Sequence, residues 1–150
     1  MSARLIMFAS LSLLAVSAEA HPDRLLEALS AIDVIPTRAV LASVGASEAE
    51  LLAVSTDPQL PRYTRARAAA MLGLFPTRAA DKGLRELCTN TKLDREVRIQ
   101  AMFSLGFVAS ALGAFDAKDV LAKLARSDPD PEVRKLAKDV RVLAPPPTER

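Results

Sequence analysis

The sequence predicts an all-α protein built as a short solenoid of stacked two-helix units. Three observations carry the prediction. The eight-residue pattern D-x-E-V-R-x-x-A occurs twice, as "DREVRIQA" at 94–101 and "DPEVRKLA" at 130–137. Apolar residues recur at helical spacing, and no stretch shows the sustained period-two alternation that marks a half-buried strand. Half of the 150 residues are hydrophobic and only 4% are aromatic; Ala and Leu, both strong helix formers, dominate. That balance belongs to a globular chain of one domain.

In chain order, the first twenty residues form a segment of their own. Arg4 supplies a positive charge, Leu5–Val16 a short apolar run, and Ala18-Glu19-Ala20 an A-x-A site. This three-part order predicts a signal peptide over 1–20, with cleavage after Ala20 or, through Val16-Ser17-Ala18, after Ala18. The other reading is an ordinary N-terminal helix packed on the domain. The run is too short to span a bilayer comfortably. The expected location is therefore outside the cytoplasm, periplasmic or secreted. No Cys follows the run, which argues against a lipid anchor.

The folded region is expected over 21–143. Residues 21–56 are read as a degenerate first unit plus an extra helix, and Ser47-x-x-Glu50 is a capping box opening "EAELLAV". Second helices are expected to begin near 62, 95 and 131. First helices are expected at 79–90 and 116–127; in the latter, Val120, Leu121 and Leu124 share a face and Asp116 can cap the start. Pro58, Pro61, Pro76, Pro129 and Pro131 fall at the breaks. "PPP" at 145–147 lies in an expected disordered tail, 144–150.

Aligning Arg98 with Arg134 brings a third copy into register. Arg65, Arg98 and Arg134 share one position, and Ala68, Ala101 and Ala137 another; Leu72-Gly73 matches Leu105-Gly106. The steps are 33 and 36 residues, with a weaker echo at Val44-Gly45. Self-similarity on this scale is the mark of stacked repeats. The faces agree. On the last helix, Val133, Leu136, Ala137, Val140 and Leu143 form a single apolar stripe opposite Arg134, Lys135, Lys138, Asp139 and Arg141. One repeat earlier the last four of those polar positions read Ile99, Met102, Phe103 and Leu105. An inner unit buries that face against its neighbour; a terminal unit shows it to water.

"DREVRIQAMFSLG" and "DPDPEVRKLAKDVRVL" resemble the second helix of HEAT repeats, in particular the short HEAT-like variety of phycobilisome lyases, and residues 57–143 carry the resemblance in three units. The unit at 64 departs from the pattern, with Thr64 in place of Val and no preceding Asp-x-Glu. The tetratricopeptide and ankyrin signatures are absent. The resemblance implies that Arg65, Arg98 and Arg134, with Asp94, Asp128 and Asp130, form hydrogen bonds between adjacent units. It also implies a concave side lined by second helices, where partners bind. There Glu96, Gln100 and Ser104 make the polar stripe of the middle helix; the aligned Tyr63 and Arg67 are the expected interface anchors.

No reacting constellation is present, so no catalytic residue, metal ligand or cofactor is expected. The one histidine, His21, precedes Pro22 near the start and lacks the second His a copper site needs; no Cys/His cluster has metal spacing. None of the five glycines forms a phosphate loop. Glu48/Glu50 and Asp128/Asp130 sit at helix starts, where capping explains them. Cys88 is alone and reads as a small buried residue. Twenty basic against eighteen acidic residues leaves no electrostatic footprint for nucleic acid. The expected function is that of a non-catalytic, monomeric interaction module with another protein as partner and no membrane span. The alternatives are a HEAT-like lyase subunit acting on a chromoprotein and a nucleic-acid-binding solenoid; export and the even charge balance weigh against them.

Overall fold

A computed structural model describes residues 20–114 and 116–142. The expected signal peptide up to Glu19, Leu143 and the tail lie outside the described residues. Eight helices follow in order: α1 (Ala20–Ser30), α2 (Arg38–Ser43), α3 (Glu48–Thr56), α4 (Arg62–Met71), α5 (Arg78–Thr89), α6 (Arg95–Leu112), α7 (Ala117–Ser127) and α8 (Pro131–Ala137). A single 3₁₀ turn, Leu72–Leu74, extends α4. Every regular element among the described residues is helical, as the missing period-two pattern predicts.

The helices pack as adjacent pairs, α3 on α4, α5 on α6 and α7 on α8. Along the stack α3 meets α5 and α5 meets α7; α4 meets α6 and α6 meets α8. First helices thus form one layer and second helices the other. The segment before the units is a pair of short helices. Of these, α1 lies against α4, burying Leu25 and Leu29.

Local chemistry fixes the boundaries. Ser47 Oγ accepts from Glu50 N at 3.2 Å while Glu50 Oε2 accepts from Ser47 N at 2.8 Å, so the predicted capping box is complete. Thr77 caps α5 and also donates to Glu48 Oε1 at 2.8 Å, tying the start of α5 to the start of α3. Asp130 caps α8 with Pro131 at the first helical position, where its missing N–H is no loss. Gly113, at φ 64°, ends α6 in the left-handed region. Asp116 does not cap α7. Its Oδ1 instead takes Arg85 Nη2 at 2.9 Å, because α7 starts beside α5 and a cation is within reach.

The aligned positions behave alike. Ala68, Ala101 and Ala137 are all buried. A Cβ added to Gly73 would lie 3.0 Å from Ser104 Oγ; one added to Gly106 would lie 2.8 Å from Val140 Cγ1 and 3.1 Å from the Arg141 carbonyl oxygen. Ser104 and Val140 are themselves one repeat apart. The repeat glycine is therefore a notch that admits the equivalent residue of the next unit. The third copy of this position is Val142, which has no described unit beyond it to admit.

Two further expectations need correction. The last helix stops at Ala137 rather than 143. Asp139 N closes a turn on Leu136 O at 2.9 Å, and the chain then crosses α6 at the Gly106 notch. Val140 is thus on the boundary but not on a helix. Val44-Gly45 is not a repeat position either: Val44 ends α2 and Gly45 turns the chain at φ 73°. The contrast between inner and terminal faces holds. Lys135, Lys138, Asp139 and Arg141 are exposed, whereas Met102 and Leu105 are buried and Ile99 and Phe103 half-buried.

Candidate interaction surface

The repeat arginines lie at the unit boundaries. Arg65 Nη2 lies 2.5 Å from Asp94 Oδ2 of the next unit, and its Nε donates to the Leu60 carbonyl oxygen at 3.1 Å. Asp94 leaves the start of α6 without a side-chain cap, since the carboxylate is turned to this arginine. Arg98 pairs with Asp128 of the third unit, both side chains buried, and donates Nε to the Cys88 carbonyl oxygen at 3.2 Å. Arg134 has no described unit to reach and folds back on the carbonyls of Asp128 and Pro129. Asp128 takes the buried pair, while Asp130 caps α8 and also lies 3.8 Å from Arg95 of the preceding unit.

An outer row runs parallel to this one. Arg62 meets Glu96 at 3.6 Å, and one repeat on Arg95 meets Glu132 at 3.2 Å. These pairs are exposed and each contributes about 0–1 kcal/mol. The aligned pairs Arg62/Arg95 and Glu96/Glu132 were present in the sequence as a charge repeat. Only the stacking shows that each arginine faces the following unit.

A groove of about 740 Å³ opens between the α1–α2 loop and the second helices of the first two units. Ile32 and Ile35 form one wall, Glu96 and Gln100 the other, and Ala66, Ala70 and Met71 the floor between them. Tyr63 and Arg67 line it as well, so all four residues singled out as partner-binding meet at one place. Their exposures differ. Tyr63 is 52% exposed, but Arg67 is only 8% exposed and is not a free anchor. Its guanidinium donates to the carbonyls of Ala31 and Val34 and to Tyr63 Oη, and it sits 5.5 Å from the Tyr63 ring centroid. Arg67 thus ties the loop across α4, and the wall of the groove depends on it. Ser104 also leaves the expected polar stripe: it is buried and donates to the Ala70 carbonyl oxygen at 3.1 Å. The apolar wall was not foreseen. Ile32, Val34 and Ile35 sit in a loop without helical spacing, and only a tertiary contact through Arg67 brings them to the second helices.

Cys88 is buried, and that burial pushes its thiol up to about 12, far from the reactive thiolate range. No group of three His, Cys, Asp or Glu able to hold a metal occurs among the described residues. No helix among them is long and apolar enough to cross a membrane. Asp116, beside Arg85, is held below the usual carboxylate range, which an ion pair between α5 and α7 explains.

A family model of HEAT repeats matches residues 48–140, well over half of the chain. The match starts at the first residue of α3 and runs past α8, taking in all three helix pairs and leaving out α1 and α2. No curated protein and no solved structure matches the chain.

Proposed function

The chain belongs to the HEAT repeat family, and on that premise we propose that it is a non-catalytic protein-interaction module of the cell envelope whose partner seats in the groove beside Tyr63. HEAT repeats generally mediate contacts between proteins, and the fold is typically a scaffold rather than a catalyst. The observation that supports the site is the meeting of exposed apolar side chains with polar rims on the second-helix layer. Ile32, Ile35 and the Tyr63 ring offer apolar area, and Gln100 offers directed hydrogen bonds. Partly exposed tyrosines in such settings are frequent energetic anchors.

Arg67→Glu is a poor probe, because it would set a carboxylate against the carbonyls of Ala31 and Val34. Tyr63→Ala combined with Gln100→Ala keeps Arg67 and its bonds to the Ala31 and Val34 carbonyls, losing only its contacts with Tyr63. Captured on the immobilised chain from envelope extract, the partner should bind this variant about 30-fold more weakly, which corresponds to about 2 kcal/mol. Circular dichroism should report unchanged helicity. Equal capture by the folded variant would move the interface off this groove.

The envelope assignment rests on the order of charge, apolar run and small residues in 1–20. Intact mass of the protein from its native host should correspond to a chain beginning at Glu19 or His21. An unprocessed N-terminus in the cytosol would contradict export.

A further inference from the structure

Each boundary in the stack has the same direction of charge. Arginines project from the earlier unit and carboxylates answer from the later one: Arg65 to Asp94, Arg98 to Asp128, Arg62 to Glu96 and Arg95 to Glu132. The side of a unit that faces the C-terminal direction is basic, and the side that faces the N-terminal direction is acidic.

The two ends keep that direction. Over 134–142, Arg134, Lys135, Lys138 and Arg141 stand against one carboxylate, Asp139. Here a second groove, of about 400 Å³, lies between α7 and the segment after α8. Leu121, Ala125, Val140 and Val142 give it an apolar floor, and Lys118, Lys138 and Arg141 rim it; no carboxylate lines it. At the other end, over 20–38, Asp23, Glu27 and Asp33 stand against Arg24 and Arg38, of which Arg38 lies over the Phe75 ring at 5.6 Å. The loop there presents Ile32 (84% exposed), Val34 (59%) and Ile35 (76%) around the exposed Asp33. One end carries an apolar knob with a carboxylate, and the other an apolar socket with a cationic rim.

We propose that the C-terminal groove of one copy receives the Ile32–Ile35 loop of a second copy, so that chains associate head to tail and continue the stack between molecules. Asp33 meets the Lys138 and Arg141 side of the rim, and the isoleucines cover the floor that a following unit would cover. Such a contact is heterologous. Each added copy leaves one knob and one socket free, which gives linear oligomers rather than a closed dimer. The contact is small and rimmed by charge, so the association is weak and salt-sensitive. The knob shares Ile32 and Ile35 with the wall of the Tyr63 groove, so a partner seated there competes with a second copy, whereas the socket rim at Lys138 and Arg141 is separate from that groove.

Sedimentation velocity of the full chain from about 10 μM to about 1 mM should show an average mass that rises with concentration at low salt and returns to the monomer near about 0.5 M salt. Two variants separate the ends. K138E/R141E reverses the socket rim, and I32S/I35S strips the knob of its apolar surface without adding charge; all four positions are exposed, so melting should stay near wild type. Each variant alone should be monomeric. Mixed together, the intact knob of the first should meet the intact socket of the second and give a one-to-one dimer that grows no further. A wild-type chain that stays monomeric at the top concentration in low salt would overturn the proposal. So would wild-type association in either variant alone, or a mixture that stays monomeric.

Discussion

Asp128→Ala should lower the unfolding free energy by about 3–5 kcal/mol, the cost of removing one partner from a buried ion pair. Arg98 and Asp128 are both almost wholly screened from water, with side chains 3% and 2% exposed. Arg98 keeps a second acceptor, the Cys88 carbonyl oxygen at 3.2 Å, but one neutral carbonyl does not compensate a buried cation. Asp128 also accepts from Asp130 N at 2.9 Å, so the turn before α8 loses a bond in the same step. Domains of this size are stable by about 5–15 kcal/mol, and the variant should therefore sit near the edge of folding at 37 °C. Asp130→Ala is the control. It loses the cap of α8 and a half-exposed pair with Arg95 at 3.8 Å, and should cost about 1–2 kcal/mol. Urea unfolding followed by far-ultraviolet circular dichroism measures both. Equal shifts in the two variants would mean that the buried pair does not join the second and third units.

Ala101→Leu should cost about 1–3 kcal/mol by overpacking. Ala101 is fully buried in α6, the helix that meets α4 on one side and α8 on the other, and its aligned residues Ala68 and Ala137 are buried too. A position kept small in every unit is one where helix surfaces approach closely, and the extra atoms of leucine have no space to enter. Lys138→Ala tests the opposite case. Lys138 is exposed at the end of α8, on the face that the sequence assigned to solvent, and its loss should cost under about 0.5 kcal/mol. Thermal melts of the two variants should differ clearly. Comparable shifts would refute the distinction between inner and terminal faces.

The parts of the fold that repeat were legible, because repetition converts one weak signal into three aligned ones. Arg65 and Arg98, the buried alanines, the helix starts at 62, 95 and 131 and the capping box at Ser47 all follow from spacing and cap chemistry. The parts that occur once were not. Arg67 has the spacing of an exposed partner for Tyr63, yet it reaches the carbonyls of Ala31 and Val34, contacts that no helical period encodes. The end of α8 was misjudged because neither Gly nor Pro follows Ala137 until Pro145. The stop comes instead from packing of Val140 on Gly106. Asp116 was assigned to a cap on local grounds, and a cation from α5 outbid the local backbone. The groove follows the same division. Tyr63, Glu96 and Gln100 are repeat-aligned, so spacing alone places them on one stripe; Ile32 and Ile35 come from a loop that only the tertiary fold brings to them.

The central claim is that neighbouring units are joined across their boundaries by aligned side chains. A double-mutant cycle on Arg98→Met and Asp128→Ala, measured by urea unfolding, tests it most directly. Each single change strands a buried partner, so the double change should cost about 2 kcal/mol less than the two single costs added together. Additivity within about 0.5 kcal/mol would mean that these residues act independently and that the units are not joined there.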